Sequence, residues 1–319
     1  MKKRIRNIYD ILIETCIEFS DDHVTKLSAS LAYYTLFATG PLLLVLITLL
    51  GFFYQKRTAT HDVFEQISKF VGPGVAGQLE SMLSQLSQQN HSTLFGVIGI
   101  LIFIFGATGI FTEIQSSINY IWSVKAKPKR SWLKYITDRL LSFVLIVGMG
   151  LLMVVSLLLN VIIDMVTDRL QHLGHLQEFV TEANVVFIKA ANIGILFFIV
   201  TLLFAVIFKV LPDARIHWKD AFIGAVFTGV LFLIGKFLIT WYLSSSKSIS
   251  AYGAAASFII LLSWIYYSAL ILYFGAEFTD VYARWHGKGV TVKSTAVFIV
   301  KHETRTLPAM KTHTEENIG

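Results

Sequence analysis

Long stretches without charge dominate this chain of 319 residues. Five of them contain no Asp, Glu, Lys or Arg, and one more contains only Lys236; in chain order the six are 27–55, 81–112, 140–163, 190–208, 221–246 and 248–276. A helix of ~20 mostly apolar residues crosses the ~30 Å hydrocarbon core of a bilayer. A soluble protein could bury one such helix, but not six. The pattern therefore predicts an all-α integral membrane protein.

The composition agrees with that prediction. Charged residues make up 15 % of the chain and hydrophobic residues 55 %, whereas an ordinary soluble domain carries about 25 % charge. The apolar stretches predict a bundle of six transmembrane helices over residues 27–285, with approximate spans at 28–54, 94–122, 140–166, 184–208, 221–243 and 253–282. No internal repeat is strong enough to favour a repeat-built transporter fold.

The distribution of basic residues predicts the orientation of the chain. With both termini on one side, the segments on that side hold 20 Lys and Arg residues, and the opposite loops hold 5. Cytoplasmic loops carry such an excess, so both termini are expected in the cytoplasm. The net charge of +6 then reflects topology, and no nucleic-acid partner is expected, since a nucleic-acid footprint would be a concentrated patch.

Three segments flank or connect these spans. Residues 1–26 carry Ile5, Ile8, Leu12, Cys16 and Phe19 at helical spacing, which predicts a cytoplasmic amphipathic helix at the membrane surface rather than a signal peptide. The outer loop 56–91 predicts two short amphipathic helices separated by "GPG", which either rest on the surface or close over a cavity. The polar cytoplasmic tail 286–319 is expected to be mobile, with a possible strand at 295–300.

A few polar residues interrupt the apolar spans, and these are the candidate site residues. They are Pro41, Glu113, Lys189, Asn192, Lys236, Tyr273 and Glu277. Ionisable groups inside a bilayer are costly and commonly face a partner or a water-filled cavity. One interpretation is a polar cavity, acidic towards the cytoplasm and basic towards the outside, that holds an anionic headgroup or small anion while an acid couples protons. The other is that Lys189 snorkels, while Glu113 and Glu277 bond to helix ends or a loop arginine.

The depth of the two acids depends on the reference point. Measured from the outer ends of their spans, Glu113 and Glu277 lie ~28 Å and ~36 Å along their helices, near the cytoplasmic rim. Measured from Trp122 and Trp285 as interfacial aromatic residues, each acid lies ~12 Å or more inside the membrane. The two measures disagree, and the sequence does not choose between them.

Signals of enzymatic chemistry are weak. The sequence has no GxSxG, Walker or GxGxxG motif and no HExxH pair. His172, His175 and Glu178 share a spacing seen in zinc sites, but a glycine intervenes and no third ligand is evident. The single cysteine, Cys16, excludes a disulfide framework within the chain. No cofactor, metal or ATP is therefore expected.

Four segments resemble the YihY/BrkB family of bacterial inner-membrane proteins. They are "LSASLAYYTLFATGPLLLVL" (27–46), "FGATGIFTEIQSSINYIW" (105–122), "LPDARIHWKDAFIGAVFTGVLF" (211–232) and "SAYGAAASFIILLSWIYYSALILYFGAEFTDVYAR" (250–284). The resemblance covers roughly residues 20–285 and implies six transmembrane helices with cytoplasmic termini. It maps the family's kink proline onto Pro41 and its "GAE" onto Gly275, Ala276 and Glu277. The "FATG" before Pro41 departs from the more usual family pattern, so packing of the first span is expected to differ locally.

The resemblance and the residues together leave three functional hypotheses. The first is a transporter or flippase that moves a lipid-like amphiphile or small solute without ATP. The second is a non-transporting envelope scaffold or accessory subunit, whose buried polar groups only fix helix packing. The third is the ribonuclease that the family label implies; it is disfavoured because metal-dependent RNA hydrolysis needs clustered His and Asp ligands, and the predicted cytoplasmic segments have none.

Overall fold

The computed structural model describes residues 2–53, 71–87, 93–127, 177–245, 256–286 and 289–301, together with Glu65, Ser68 and Leu140. This part of the chain is mostly helical. Its seven helices are α1 (Lys2–Asp21), α2 (Val24–Phe53), α3 (Pro73–Ser87), α4 (Thr93–Ile121), α5 (Gln177–Val210), α6 (Trp218–Ser245) and α7 (Ala256–His286). Four short strands complete it: β1 (Val124–Ala126), β2 (Ala214–Arg215), β3 (Thr291–Val292) and β4 (Ala296–Phe298).

Helices occupy five of the six predicted spans. Three of them are long and apolar enough to cross a membrane by length and composition, at Asn192–Val210, Trp218–Ile239 and Phe258–His286. The helices predicted at 28–54 and 94–122 are also present, as α2 and α4. The predicted span 140–166 lies outside the described residues, apart from Leu140.

The apolar helices leave much of their surface outside the bundle. In the most apolar stretch of each helix, the buried share is only 39 % for α5, 33 % for α6 and 39 % for α7. On α6, Phe237 and Trp241 are 72 % and 63 % exposed. A helix that is hydrophobic all round while only partly covered by protein is typical of a helix that faces lipid.

Small residues bring α6 and α7 into close contact. A Cβ atom added to Gly224 would overlap Thr279 Oγ1, and one added to Gly275 would overlap Thr228 Oγ1. Each threonine also donates a hydrogen bond to the glycine one turn before it, Thr228 to Gly224 O at 2.7 Å and Thr279 to Gly275 O at 2.6 Å. This reciprocal glycine–threonine contact fixes the register of the antiparallel helices, as small residues do in membrane helix pairs.

Helix α1 packs on the end of α7 that carries Glu277. Ile11 is buried with Phe278 and Val281, and Thr15 is fully buried one turn further along α1. The helix is confirmed, but its buried side differs from the predicted stripe, because Ile8 and Cys16 are exposed. Tertiary packing against α7 therefore selects which face of α1 is covered.

Helix α3 begins within the predicted "GPG" break. Gly72 has a φ of 89°, a left-handed conformation that glycine adopts without steric cost, and Pro73 is the first helical residue. Val75 is buried with Ala32 of α2 and with Leu261 and Ile265 of α7. The second helix of the predicted pair is thus packed on the bundle; most of the first lies outside the described residues.

The segment after α7 is ordered, contrary to the expectation of a mobile tail. Strand β3 pairs antiparallel with β2, and β4 pairs antiparallel with β1. The predicted strand within 295–300 is confirmed as Ala296–Phe298. The expectation failed because the partners of these strands are loops far away in sequence, so composition alone carries no sign of the pairing. Residues 302–319 lie outside the described part.

Candidate functional site

Glu277 lies in the most closely packed part of the bundle. It follows Gly275 on α7, so the glycine–threonine contact with α6 holds its backbone in place. Its side chain has 0 % exposure. Among the described residues, neither of its carboxylate oxygens has a hydrogen-bond partner. A buried carboxylate of this kind is costly unless something else satisfies it.

Four other buried side chains form no hydrogen bond to the backbone among the described residues. The hydroxyl oxygens of Ser28 on α2 and Thr201 on α5 have no hydrogen-bond partner in this part of the chain. The hydroxyl groups of Ser117 on α4 and Tyr273 on α7, one helical turn before Glu277, interact with each other.

The sequence neighbours of these residues belong to one hydrophobic core: Val24 and Leu31 around Ser28, Ile114 and Ile118 around Ser117, and Leu272 and Ala276 beside the residues of α7. The polar side chains are therefore buried among apolar ones. An unpaired polar group is most costly in such an environment, because no water-like dielectric screens it.

Charged residues cover the end of the bundle next to Glu277. Lys301 Nζ lies 2.5 Å from Asp22 Oδ2, between α1 and α2. Arg284 forms ion pairs with Glu14 at 3.4 Å, with Asp280 at 3.3 Å and with Glu18. Asp22, Glu18, Asp280 and Lys301 all act electrostatically on Glu277. This group is called the charged end.

A second buried carboxylate, Asp213, is fully engaged. It lies in the turn between α5 and α6 with 4 % exposure. Its Oδ2 accepts hydrogen bonds from Asn119 Nδ2 at 2.9 Å and Gln115 Nε2 at 3.2 Å, and its backbone N–H donates to Asn119 Oδ1 at 2.8 Å. These contacts, called the Asp213 clamp, fix the α5–α6 turn to the end of α4.

Trp122 ties the same end of α4 to α7. Its indole Nε1 donates a hydrogen bond to Ala276 O at 3.0 Å, and the side chain is 2 % exposed. Trp122, one of the two reference points used above for the depth of the acids, is therefore packed inside the bundle. The indole is buried because its single donor finds a backbone carbonyl inside the protein, beside Glu277. Trp285, in contrast, is 43 % exposed and donates to Glu14 Oε2 at 2.6 Å.

The Asp213 clamp was not among the candidate sites identified from the sequence. Its residues do appear in two of the segments that carried the family resemblance, "QSSINYIW" and "LPDAR". Asn119 and Trp122 lie three positions apart at the end of α4 and bind different partners, Asp213 and Ala276. The occurrence of Asn119, Trp122 and Asp213 in those segments was the sequence feature that could have indicated the clamp.

A separate cavity of about 420 Å³ lies between five helices. Its lining is almost wholly apolar, with Leu31 and Thr35 from α2, Ile110 and Ile114 from α4, Leu203 and Phe204 from α5, Phe232 from α6, and Trp264, Ser268 and Leu272 from α7 among its residues. Ile265 and Trp264 also contact α3. A site of this size is within the ~300–1,000 Å³ range of small-molecule pockets.

The structure brings together only some of the predicted site residues. Glu113 is half-buried one turn before Ser117 and acts electrostatically on Tyr273. Lys236 is half-buried on α6; the register set by Gly224 and Thr279 places it about 15 Å from the level of Glu277 along the helix axes. None of Glu113, Lys236, Tyr273 and Glu277 is among the described residues that line the cavity.

The remaining candidates are Lys189, Asn192 and Pro41. Lys189 and Asn192 belong to α5, where Asn192 is exposed at the start of the apolar window and the Lys189 side chain lies outside the described part of the chain. Helix α2 continues through Pro41. Within the described residues, no three His, Cys, Asp or Glu side chains are grouped so that they could hold a metal ion.

Comparison with known proteins places this chain in a family. A profile of the Virulence factor BrkB family matches residues 15–296, so the chain belongs to that family. The match extends beyond α7 to β4, further than the resemblance predicted from the sequence. No solved structure shows a significant match.

The curated relatives are described as membrane proteins or as ribonuclease-like. A UPF0761 membrane protein of Alteromonas mediterranea is 25 % identical over 281 residues, which cover 86 % of this chain and 87 % of the relative. A UPF0761 membrane protein of Tolumonas auensis is 29 % identical, with coverage of 83 % and 82 %. The putative ribonuclease-like protein YfkH of Bacillus subtilis is 27 % identical, with coverage of 78 % and 86 %. Together with the apolar helices, these relatives identify the chain as a membrane protein.

Proposed function

We propose that this protein transports or flips a lipid-like amphiphile across the bacterial inner membrane without ATP. In this proposal the six predicted spans cross the membrane and both termini are cytoplasmic. The observation that carries it is the apolar cavity of about 420 Å³ between α2, α4, α5, α6 and α7. Aliphatic and aromatic side chains suit an acyl chain better than a free small anion.

The position of the cavity supports the proposal further. Its walls come from helices that also expose large apolar side chains outside the bundle, such as Phe198 of α5 and Phe237 of α6. An acyl chain leaving the bilayer would therefore exchange one apolar environment for another. The polar headgroup would remain with the polar residues at the membrane surfaces.

Reconstitution into lipid vesicles tests the proposal. The probe is a phospholipid with a fluorescent headgroup label, and its movement between leaflets is measured by quenching from outside. Vesicles with the protein are expected to lose the protected half of the fluorescence faster than protein-free vesicles. Equal rates in both would contradict the proposal.

A cavity-filling variant with a matched control links the activity to the cavity. Ser268 lines the cavity, whereas Ser263 on the same helix does not. Ser268→Phe is expected to lower the rate of lipid movement at least about tenfold, because the ring occupies space the acyl chain needs. Ser263→Phe adds the same ring outside the described lining and should leave the rate unchanged. Equal rates for Ser268→Phe and the wild type would remove the cavity from the mechanism.

The second candidate function is a non-transporting scaffold or accessory subunit. It is favoured by the Asp213 clamp and the glycine–threonine contact, which use buried polar groups to fix helix positions. Under this alternative, Glu277→Gln and Lys236→Met reduce stability but leave any phenotype intact once expression is restored. Under the transport proposal at least one of them lowers flux; if neither does, these residues have no role in it.

We also propose that the protein is not a ribonuclease, although one relative is described as ribonuclease-like. The proposal rests on the sequence, whose predicted cytoplasmic segments lack clustered His and Asp residues. Detergent-purified protein incubated with RNA and divalent metal is expected to show no cleavage above that of a mock purification. Cleavage that co-purifies with the protein through successive columns would contradict it.

A further inference from the structure

Helix α1 exposes an apolar face that its packing on α7 leaves uncovered. Ile8, Tyr9, Ile13 and Ile17 are 57 %, 63 %, 42 % and 55 % exposed, and Cys16 is exposed with them. These five positions fall within about half of the helix circumference and are called the outer face of α1. Single apolar residues on a surface need no explanation, but a contiguous apolar face marks an interaction site.

The acids of α1 occupy a different side of the helix. Asp10, Glu14, Glu18 and Asp21 share about a quarter of the circumference, beside the outer face. Two of them, Glu14 and Glu18, form ion pairs with Arg284 of α7. A helix divided in this way into an apolar face and a charged face is suited to lie in the plane of a membrane interface.

The contacts of α1 place it beside a membrane span. On α7, the apolar stretch Phe258–His286 is long enough to cross a membrane. Phe19 packs against Phe274 within this stretch, with ring centroids 5.5 Å apart, and Glu14 accepts a hydrogen bond from Trp285 near its end. These two α7 positions lie ~16 Å apart along the helix axis. Helix α1 therefore lies alongside the last turns of the span and not beyond them.

Basic residues precede the outer face in the chain. Lys2, Lys3, Arg4 and Arg6 belong to the first turns of α1, and no acid occurs before Asp10. Clusters of Lys and Arg on an amphipathic helix attract the headgroups of anionic phospholipids. A protein partner could be held by the apolar face alone, whereas the basic turns add a charge that complements a bilayer with anionic headgroups.

We propose that α1 binds anionic phospholipid, with its outer face among the acyl chains and its basic first turns at the headgroups. In the orientation proposed above, this is the cytoplasmic leaflet. The face differs from the stripe predicted from the sequence. Leu12 and Phe19 of that stripe pack against the protein, and Tyr9, Ile13 and Ile17 are exposed instead.

The single cysteine of the chain allows this face to be probed directly. Cys16 lies on the outer face, so one attached fluorophore reports on its surroundings. The labelled protein is reconstituted into vesicles of phosphatidylcholine and phosphatidylglycerol, in which one or the other lipid carries quenching bromine atoms on its acyl chains. Both brominated lipids are expected to quench the fluorophore, and iodide in the water should quench it little. Brominated phosphatidylglycerol is expected to quench at least about threefold more than brominated phosphatidylcholine at equal mole fraction, because the bases attract it.

Two further label positions control for the face. Asp21 is exposed on the acidic side of α1, so a label in Cys16→Ser/Asp21→Cys should be quenched by iodide and little by brominated lipid. Cys16→Ser/Ile13→Cys returns the label to the outer face and should behave like the wild type. It remains informative if a label at Cys16 disturbs the helix.

A charge variant tests the choice of lipid. Replacing Lys2, Lys3, Arg4 and Arg6 together by Gln is expected to make the two brominated lipids quench equally, while quenching itself persists. Equal quenching by the two lipids in the wild type, or an unchanged preference in this variant, would overturn the assignment to anionic lipid.

Two other outcomes would overturn the membrane contact itself. Iodide quenching at Cys16 as strong as at position 21 would place the outer face in water. Protection from both iodide and brominated lipid would show that another protein or a second copy of this chain covers it. The transport proposal is tested separately by Ser268→Phe, and the outer face contributes nothing to the described cavity lining, so each proposal can fail without the other.

Discussion

Two buried carboxylates near the same end of the bundle have opposite surroundings. Asp213 is 4 % exposed and accepts hydrogen bonds from Asn119 and Gln115. Glu277 is 0 % exposed, and among the described residues nothing donates to it. Both acids belong to segments that carried the family resemblance. Their burial alone therefore does not distinguish a structural role from a functional one.

The difference between the two acids suggests different reasons for their presence. Asp213 satisfies amide donors that would otherwise be buried without an acceptor, so its role is to hold the α5–α6 turn on α4. Glu277 makes no comparable contribution among the described residues, yet the close contact of α6 and α7 fixes its backbone. A buried carboxylate that is held in place but has no described hydrogen-bond partner is a candidate functional residue.

The largest effect is expected when the Asp213 clamp is broken. Asn119→Ala removes a donor to Asp213 Oδ2 and the acceptor of the Asp213 N–H. Losing two buried hydrogen bonds, one of them to a charged group, is expected to lower the free energy of unfolding by about 3 kcal/mol. Denaturation in detergent micelles measures it. A loss below about 1 kcal/mol would show that the Asp213 clamp contributes little to stability. Asp213 would then not be the structural one of the two acids.

A smaller loss is expected when the contact beside Glu277 is crowded. The Cβ of Gly275→Ala would overlap Thr228 Oγ1, and overpacking of this kind costs about 2 kcal/mol. Gly194→Ala is the matched control, because nothing lies within 4 Å of a Cβ at that position. The double variant Gly275→Ala/Thr228→Ala should recover part of the stability. No recovery would mean that α6 and α7 do not meet as described.

The smallest effect is expected at the charged end. The Arg284 side chain is 41 % exposed, and its partners Glu14, Glu18 and Asp280 are 34 %, 30 % and 14 % exposed. Because the arginine end of each ion pair is open to solvent, which screens the charges, Arg284→Gln is expected to lower the free energy of unfolding by less than about 1 kcal/mol. Chemical denaturation at low and high salt measures both the loss and its screening. A loss as large as that of Asn119→Ala would show that the charged end stabilises the fold as much as the Asp213 clamp does.

The sequence predicts the helices of this protein better than their contacts. Helices α2, α4, α5, α6 and α7 follow from length and hydropathy, which are local properties. The pairing of Ala214 with Val292 is not local, and a two-residue strand has too little pattern to be recognised. The tail was accordingly expected to be mobile.

The candidate site was predicted only in part for a similar reason. Glu277 and Tyr273 stand out in the sequence because they are polar residues in an apolar span. Asp213 lies in a turn, where a carboxylate is unremarkable, so nothing in the sequence separates it from a solvated loop residue. Trp122 served in the sequence only as a reference for depth, and its hydrogen bond to Ala276 O joins two segments that are far apart in the chain.

The most direct test compares the two acids in one experiment. The free energies of unfolding of Asp213→Asn and Glu277→Gln are measured in detergent. Asp213→Asn is expected to lose about 2 kcal/mol, because a neutral amide oxygen accepts the two hydrogen bonds more weakly than a carboxylate does. Glu277→Gln is expected to stay within about 0.5 kcal/mol of the wild type, since no hydrogen bond among the described residues is lost. If Glu277→Gln loses as much stability as Asp213→Asn, Glu277 is a structural residue and the distinction between the two acids is wrong.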